Sequence, residues 1–304
     1  MEGTMNPTMK PVRNRMRLVA GLGAAMLSLG LAACSHGSAP QAVDLPYPPG
    51  STMDQLHRAG TIRIGVKEDQ PYVGFVNPAT SKRSGFDIDI AKIVAAGLGL
   101  RPGQIRYVKA VSADREKYLT SGRVDLVIAS YSITAARRRQ VGQAGPYYQT
   151  GQQLLVRTAD KHKITGPDKL HGVTVCSVAG ATSSETMQKY HARLLLEPDY
   201  TQCVQQLLSK KVDAVTTDGE ILHGYADLQA KVQPNQLTVV GKPFTTERYG
   251  IGYKKGDRAF CQVLTDIITV AEHHNRKWDK AFKDTLGKAG VGYQQPPPLD
   301  HCQE

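Results

Sequence analysis

A polar strand end followed by an arginine has residue types that could bind a small anion. Ser130 and Ser132 follow the apolar run 124–128, and Arg137 comes five residues after Ser132. A guanidinium offers two parallel N–H donors that match a carboxylate, and hydroxyl and main-chain donors at a strand end add to them. On spacing alone, the arginine run 137–139 is more typical of a solvated surface, and the two serines of an ordinary polar strand terminus.

Acidic side chains near two other strand ends could hold a cation. Asp218 follows an apolar run, although its position before Gly219 also suits a plain turn. Glu68 and Asp69 follow the first apolar run of the chain, with Tyr72 in the same loop. Either carboxylate could help to hold an ammonium group, and the tyrosine could form a wall beside it. Solvated loop charge and core packing are the alternatives.

Gly180, Ala181, Thr182 and Ser183 connect a predicted strand to a predicted helix. Glycine allows another group to approach the main chain, and the first N–H groups of a helix are free to bind an anion. The main chain at Ala181 and the hydroxyl of Thr182 therefore suit a carboxylate. The alternative is a simple helix cap by Thr182 or Ser183, with Glu185 in the first turn.

Short β-rich runs alternate with amphipathic segments from residue 61 onward, in two blocks of similar pattern. The pattern predicts strands over 62–66, 105–108, 124–128, 173–178, 212–216 and 237–240. It predicts helices over 87–98, 114–121, 183–195, 200–209, 258–274 and 278–286. Alternation of this kind is typical of α/β folds with mostly parallel sheets, and the two blocks predict two lobes. Glycine and proline at 145–151 and 241–244 predict the hinges between them.

The first 33 residues have the pattern of a secretory signal. Basic residues at 13–17 precede an apolar run, 18–31, which at 1.5 Å per residue is too short to span a bilayer. Small residues then lead to Cys34 in a sequence that resembles a bacterial lipobox. Cys34 is therefore the predicted lipidation site. The alternative is an ordinary signal peptide followed by a chance cysteine. The stretch 35–51, which is rich in proline and glycine, is the predicted flexible tether, and 34–60 as a whole is the tether with its lead-in. We expect an exported protein anchored to the outer face of the cell membrane.

Four further cysteines are Cys176, Cys203, Cys261 and Cys302. An exported chain permits disulfides, and four thiols allow three pairings. Cys176 lies on a predicted strand and Cys203 in the helix that follows soon after, so we favour a bridge between these two. Cys261 and Cys302 would then tie down the C-terminal tail. Metal binding is the weaker interpretation, because neither a Cys-x-x-Cys motif nor a histidine pair accompanies the cysteines.

The positive charge of the chain is regional. Lysine and arginine exceed aspartate and glutamate by 38 to 27, which gives a net charge of +11. The net charge is +3 over 1–33, +7 over 61–151 and zero over 152–240. The cations are interleaved with acids, without a zinc-finger or basic-helix pattern, so nucleic acid is not a predicted partner. A cationic first lobe would instead favour an anionic ligand or the anionic membrane face.

Motifs spread over roughly 60–285 resemble those of the amino-acid-type solute-binding proteins of ABC importers. They are Gly85-Phe86-Asp87-Ile88-Asp89-Ile90-Ala91, Ser121-Gly122-Arg123-Val124-Asp125-Leu126, Ser132-Ile133-Thr134 with Arg137, Pro146-Tyr147-Tyr148 with Gly151-Gln152, Val212-Asp213-Ala214-Val215-Thr216-Thr217-Asp218, and Pro243-Phe244 with Tyr249-Gly250-Ile251-Gly252. Their order and spacing together carry the resemblance. The chain is also similar to the actinobacterial glutamine/glutamate-binding lipoproteins, which share the placement of Cys176 and Cys203.

The resemblance implies a two-lobed periplasmic-binding-protein fold of type II, which closes around one free amino acid. It implies that Arg137 binds the α-carboxylate, with contacts from Ser130, Ser132 and Thr182. It also implies that Asp218 meets the α-ammonium. Both ligand charges lose water when the lobes close, so each needs a partner of opposite charge.

Arg115 indicates which ligand side chain the site would accept. Some relatives place an aromatic wall where this sequence has Ser112, and a segment similar to 111–115 occurs in relatives that take acidic amino acids. The resemblance therefore favours glutamate or aspartate, followed by glutamine or asparagine. A surface ion pair of Arg115 with Asp114 or Glu116 is the alternative.

The predicted organisation begins with a signal peptide (1–33) and a tether with lead-in (34–60). Lobe 1 follows in two pieces (61–148 and 245–285), with lobe 2 (152–240) between them and a C-terminal tail (286–304) at the end. The predicted function is capture of the amino acid by a monomer and its delivery to the transmembrane subunits of an ABC permease. No cofactor, metal or enzymatic activity is expected. The alternatives are a lipid-anchored sensor of amino-acid availability that signals to a membrane partner, and an enzyme on the same fold.

Overall fold

The computed structural model describes residues 47–302, so Cys34, the predicted signal peptide and most of the predicted tether lie outside it. The strands of this part are β1 (Ile62–Val66), β2 (Asp69–Gln70), β3 (Gly74–Val76), β4 (Arg83–Ser84), β5 (Ile105–Lys109), β6 (Leu126–Val127), β7 (Gly142–Thr150), β8 (Gln152–Arg157), β9 (Thr174–Val178), β10 (Arg193–Glu197), β11 (Ala214–Asp218), β12 (Leu237–Val240) and β13 (Glu247–Tyr253). Its helices are α1 (Thr52–Ala59), α2 (Phe86–Gly97), α3 (Arg115–Thr120), α4 (Ala135–Arg138), α5 (Thr182–Thr186), α6 (Tyr200–Leu208), α7 (Gly219–Val232), α8 (Arg258–His273) and α9 (Lys277–Asp284). Among these residues, no helix has both the length and the apolar character needed to cross a bilayer.

The first sheet, with strand order β5-β1-β6-β13-β7, is the centre of lobe 1. Strand β1 pairs in parallel with β5 and β6. Ile62, Ile64 and Val66 of β1 are fully buried, as expected of a parallel strand that is covered on both faces. The carboxyl ends of β1 and β6 bring Lys67 and the segment 129–132 to one edge of this sheet.

The second sheet, with strand order β10-β9-β11-β8-β12, is the centre of lobe 2. Strand β9 pairs in parallel with β10 and β11, whereas β8 runs antiparallel to β11 and β12. The carboxyl ends of β9 and β11 carry Gly180 and Asp218 toward lobe 1. The predicted α/β class with two lobes is confirmed, with the parallel strands of each sheet joined by antiparallel ones.

The chain crosses between the sheets twice. The first crossing passes from β7 to β8 through Gly151, and the second lies between β12 and β13 at 241–246. A Cβ atom on Gly151 would lie 2.3 Å from the carbonyl oxygen of Thr245, so only glycine permits the two crossings to touch. Close contact of the crossings is expected where two lobes share one hinge.

The prediction of one helix over 183–195 is wrong. Helix α5 ends at Thr186, a short 3-10 turn follows, and His191 adopts a left-handed φ of 52°. Residues 193–197 then form the edge strand β10, which pairs with β9 from Arg193 opposite Thr174. Pairing with a neighbouring strand has overridden the local apolar pattern.

The lead-in that follows the predicted tether contains helix α1 at 52–59. Ser51 caps this helix by accepting a hydrogen bond from the Asp54 N–H at 3.2 Å. Gly60 ends it with a left-handed φ of 61°. Met53 and Leu56 are buried in the core, so the lead-in belongs to the folded domain.

The tail beyond residue 291 has no helix or strand up to residue 302, but its contacts fix it in place. Asp300 accepts hydrogen bonds from Arg138 at 2.7 Å and from Arg248 at 2.6 Å. A disulfide joins Cys302 to Cys261 of α8. These contacts hold the irregular backbone of the tail against the rest of the fold.

Both favoured disulfide pairings are formed in the structure. Cys176 of β9 is bonded to Cys203 of α6, with a Cα–Cα distance of 5.4 Å. Cys261 is bonded to Cys302, with a Cα–Cα distance of 5.8 Å. The first bridge links a strand to the helix that packs on it within lobe 2, and the second joins the tail to α8.

Candidate ligand site between the lobes

A narrow cavity of about 10 Å³ lies between the lobes, where the carboxyl ends of parallel strands from both sheets meet. It is lined by Ser112, Arg115, Ser130, Ser132, Ala181, Thr182, Ser183, Tyr200, Thr217 and Asp218. Six of these ten residues were predicted to bind the ligand. This volume holds about one water molecule, so the walls of the cavity lie close together.

Arg115 enters this cavity from α3 and is only 2% exposed, which excludes a surface ion pair. Its guanidinium donates four hydrogen bonds of 3.0–3.2 Å to main-chain carbonyls, those of Ser112, Ala129, Ser130 and Gly180. Burial and the neighbouring Arg137 lower the pKa of Arg115 to about 10. The side chain is thus held rigidly as a cation by dipoles rather than by a carboxylate.

Arg137 lies beside the cavity but outside its lining. Its Nη1 donates to the Ser132 carbonyl at 2.8 Å, and its Nη2 donates to the Gly180 carbonyl at 3.0 Å. Its Nε forms an ion pair with Glu116 at 3.0 Å. The predicted carboxylate-binding residue is therefore buried at the site, with part of its charge already neutralised by Glu116.

The two arginines form one unit around a tyrosine. The guanidinium carbons of Arg115 and Arg137 lie 4.7 Å and 4.9 Å from the centroid of the Tyr131 ring. Both side chains also donate to the carbonyl of Gly180 on lobe 2. Cation–π contact of this kind stabilises a buried cation, and the shared carbonyl ties the arginines of lobe 1 to lobe 2.

Lys67 adds a third cation, which sequence reasoning did not identify. Its Nζ donates to the Ser112 hydroxyl at 2.7 Å, behind the cavity lining. Burial and the positive charge of Arg115 lower the pKa of Lys67 to about 7. This wall of the site therefore holds more positive charge than its surroundings compensate.

Asp218 faces the cavity from the carboxyl end of β11 and is 5% exposed. The Tyr249 hydroxyl contacts its Oδ2 at 2.5 Å, and the same hydroxyl contacts Glu220. The Oδ1 atom has no hydrogen-bond partner within residues 47–302. Burial and repulsion from Glu220 and Glu247 raise the pKa of Asp218 well above its ordinary value.

Two contacts between the lobes close the cleft near these charges. Thr182 donates from its hydroxyl to Glu247 of β13 at 3.0 Å, so it is not a helix cap. Gly180 has a left-handed φ of 76°, and a Cβ atom there would lie 2.7 Å from the Ala113 Cα. The lobes approach so closely at Gly180 that a larger residue would hold them apart.

Ser130 is positioned by a buried carboxylate from α2. Its N–H donates to Asp87 at 2.7 Å, and the Tyr147 hydroxyl donates to the other oxygen of Asp87 at 2.7 Å. Ser130 has a left-handed φ of 43°, which is unusual for a residue with a side chain. Burial raises the pKa of Asp87 to about 6. Asp87 belongs to a motif quoted for the resemblance, yet its position in sequence gave no sign of this role.

Glu68 and Tyr72 lie outside the cavity lining. Glu68 forms an ion pair with Arg83. The Tyr72 hydroxyl bonds to Asp227 and accepts a hydrogen bond from Lys231 at 2.7 Å, both on α7. Tyr72 therefore contacts lobe 2 at the rim of the cleft, and Glu68 is paired within lobe 1.

The lining also contains polar residues that were not predicted to bind ligand: Ser112, Ser183, Tyr200 and Thr217. The Ser183 hydroxyl contacts that of Tyr200 at 3.1 Å. Burial raises the pKa of Tyr200 to about 12, so the phenol stays neutral. The position of Thr217 before Asp218 could have been noticed, whereas Tyr200 reaches the site only through the packing of α6.

Two α/β lobes that meet at a small cavity with opposed buried charges define a bilobed solute-binding protein. Residues 62–287 match the family of bacterial extracellular solute-binding proteins, family 3, and the chain belongs to this family. It is 33% identical to the glutamate-binding protein GluB of Corynebacterium glutamicum, over 96% of this chain and 98% of the relative. It is 33% identical to the ABC transporter glutamine-binding protein GlnH of Bacillus subtilis, over 73% of this chain and 80% of that one. Among solved structures, the solute receptor for L-cysteine of Neisseria gonorrhoeae has a TM-score of 0.71 and 28% identity, over 80% of this chain and 97% of the receptor.

Proposed function

We propose that this protein captures a free amino acid outside the cell and delivers it to the transmembrane subunits of an ABC importer. Glutamate and aspartate are the favoured ligands, and glutamine and asparagine come next. In this proposal the protein acts as a monomer that is held on the outer face of the membrane by lipidated Cys34. Its task is binding and release, without a chemical step. The similarity to glutamate- and glutamine-binding relatives supports the ligand class.

The observation that carries the proposal is the separation of charge around one small cavity. Arg115 faces it from lobe 1, with Lys67 and Arg137 directly behind the lining. Asp218 faces it from lobe 2 with an oxygen that has no hydrogen-bond partner in the described part of the chain. A free amino acid carries one ammonium and at least one carboxylate, so it would compensate both walls at once.

The predicted site residues other than Glu68 and Tyr72 each have a role in this proposal. Arg137 binds the α-carboxylate through its guanidinium. Asp218 accepts the α-ammonium through its Oδ1. Arg115 and Lys67 attract an anionic side chain. Additional donors come from the hydroxyl or main-chain groups of Ser130, Ser132, Ala181 and Thr182.

Thermal unfolding in the presence of each of the twenty amino acids tests the ligand class. A ligand that binds only the folded form raises the free energy of unfolding by about 2.7 kcal/mol at a hundredfold excess over its Kd. We expect the largest rise in Tm with L-glutamate or L-aspartate, and D-glutamate serves as the control. If none of the amino acids changes the Tm, the proposed function is wrong.

Membrane fractionation tests the anchor independently. The chain with its native N-terminus is expected in the membrane fraction, and Cys34→Ser is expected to release it, because the thiol is the group that would carry the lipid. Cys34→Ser should leave amino-acid binding unchanged. Retention of the variant in the membrane would contradict lipidation at this residue.

A further inference from the structure

One phenol hydroxyl lies between two buried carboxyl groups. Tyr249 of β13 contacts Oδ2 of Asp218 at 2.5 Å and also contacts Oε1 of Glu220, at the start of α7. A phenol carries a single proton and can donate it to only one of the two oxygens. The second contact becomes a hydrogen bond only when that carboxyl group is itself protonated. The arrangement therefore holds one more proton than two ordinary carboxylates would.

The surroundings of the pair do little to compensate a second negative charge. Both carboxyl groups are almost fully buried, Asp218 at 5% and Glu220 at 2% exposure. Within residues 47–302, the charged or titratable groups that face them are Glu247 and Tyr249 of β13, Tyr147 and Tyr148 of β7, Asp87 of α2, Tyr200 of α6, His223 of α7 and, as the cation, Arg115 of α3. Thr150 adds a hydroxyl donor to Glu220. Burial raises the pKa of Glu220 to about 7, and burial with repulsion from Glu220 raises that of Asp218.

The two carboxyl groups face different solvent spaces. Asp218 lines the cavity between the lobes, where its Oδ1 has no hydrogen-bond partner among residues 47–302. Glu220 lines a separate pocket on the hinge side, together with Thr150, Gly151 and His223. A proton held by the pair thus has an exit that does not pass through the ligand cavity.

We propose that Asp218, Glu220 and Tyr249 form a proton-exchange site, in which the ammonium of the captured amino acid displaces the proton shared by the two carboxyl groups. This inference rests on the proposed function. Before binding, the pair carries one proton and one negative charge. Afterwards both carboxyl groups are ionised, the ammonium compensates one of them, and the proton leaves from Glu220 to the hinge-side pocket. Charge and protons balance, with one proton released for each ligand bound.

The exchange makes ligand capture dependent on pH with a defined sign. At a pH below the range in which the pair loses its shared proton, the ammonium must compete with that proton, so affinity falls by up to tenfold for each unit of pH. At a pH above that range the proton has already left, and the affinity becomes constant. A site with an ordinary, ionised aspartate would bind equally well throughout.

Titration calorimetry near pH 6–7, in buffers with different ionisation enthalpies, measures the released proton. Glutamine is used as the ligand, because its uncharged side chain should not change the protonation of Lys67. The wild-type chain is expected to release close to one proton for each ligand. Glu220→Gln is expected to release almost none, because its amide donates to Tyr249 and the phenol proton then stabilises ionised Asp218. Its affinity should also no longer fall toward pH 6.

Three further variants complete the test. Glu272→Gln removes a buried carboxyl group of α8, remote from this site in the fold, and should leave proton release unchanged. Tyr249→Phe removes the hydroxyl that contacts both carboxyl groups and lowers their pKa, so it should shift the pH range of release upward. Thr150→Val removes a donor to Glu220 and should shift the pH range of release upward, which keeps the test open if Glu220→Gln does not fold.

The outcomes separate this inference from the proposed function. Binding of glutamine or glutamate by the wild-type chain without any dependence of the enthalpy on the buffer would overturn proton exchange and leave the proposed function intact. Equal proton release by the wild-type chain and a folded Glu220→Gln variant would also overturn it. Failure of every amino acid to bind would overturn the proposed function, and the inference with it.

Discussion

The two charged walls of the cavity are built differently. On the cationic wall, Arg115 and Arg137 place their donors on main-chain carbonyls and on Glu116, so both guanidiniums are fixed in position. On the anionic wall, Asp218 and Glu220 share one hydroxyl, and no described residue gives the second oxygen of Asp218 a hydrogen bond. The cationic wall is preorganised, whereas the anionic wall is the part that changes its protonation.

This difference separates binding strength from its regulation. Preorganised donors lose little entropy when a carboxylate arrives, so the cationic wall should supply most of the affinity. The anionic wall should supply less, because an arriving ammonium must first displace a proton. Variants of the two walls are therefore expected to differ in the size of their effect and in its dependence on pH.

Arg137→Ala should have the largest effect on binding. Truncating one partner of a buried, hydrogen-bonded charge pair costs about 2–5 kcal/mol, so the affinity for glutamate should fall by about 30-fold to more than a thousandfold. Calorimetry measures this loss, and circular dichroism checks the fold. Arg139→Ala is the matched control, since this arginine follows two residues later and is exposed. Unchanged affinity of Arg137→Ala would remove Arg137 from the site.

Asp218→Asn should have the next largest effect. A hydrogen bond to a charged group contributes about 1.5–3 kcal/mol, so the affinity should fall by about 10- to 150-fold, more strongly at high pH, where Asp218 of the wild type is ionised. Calorimetry at two pH values measures both features. Asp213→Asn changes a partly exposed carboxylate just before the same strand and should bind normally. If Asp218→Asn bound glutamate as tightly as the wild type, Asp218 would not be the residue that binds the ammonium.

Gly180→Ala tests whether the two walls must come together. The left-handed conformation costs about 1–2 kcal/mol for a residue with a side chain, and the new Cβ would also meet Ala113 of the other lobe at 2.7 Å. Gly172→Ala is the matched control, because Gly172 has a similar φ of 70° with open space around it. Both variants should lower the Tm similarly, but only Gly180→Ala should weaken ligand binding, by about tenfold. Equal affinities of the two variants would mean that closure at Gly180 does not limit binding.

The fold was largely predictable where apolar runs were compact. β1 and β12 coincide with the predicted strands 62–66 and 237–240. The crossing strands β7 and β13 were missed because they contain several glycines and polar residues, and their partners are distant in sequence. Local pattern also failed at β10, where pairing with β9 decides the conformation.

The site was predictable only in part, for a physical reason. Residues directly at strand ends, such as Ser132 and Asp218, were found because parallel strands bring their carboxyl ends to one edge. The roles of Asp87 and Glu220 depend on contacts with tyrosines far along the chain, which no spacing reveals. Lys67 directly follows the first strand, but a lysine there is usually solvated, so its burial was not expected.

Lys67→Gln should have the smallest effect, and it appears only as a change in pH dependence. The pKa of Lys67 is lowered to about 7 by burial and by Arg115, so the amine is charged below that pH and neutral above it. A charged amine attracts an anionic side chain. The affinity of the wild-type chain for glutamate should therefore fall by up to tenfold for each unit of pH above about 7. The fall should end above the pKa that Lys67 has when glutamate is bound, because the amine is then neutral in both states. The affinity for glutamine should not fall in this way.

The variant separates the two walls. Lys67→Gln keeps a donor for Ser112 but cannot titrate. The affinity for glutamate should therefore no longer decline at high pH. The decline at low pH, which Asp218 and Glu220 set, should persist. Calorimetry from pH 5 to pH 9 with glutamate and glutamine measures the declines in affinity at low and at high pH. The fall at high pH for glutamate but not glutamine would place the ligand side chain at the cationic wall. A high-pH decline that survives in Lys67→Gln would show that another group controls it.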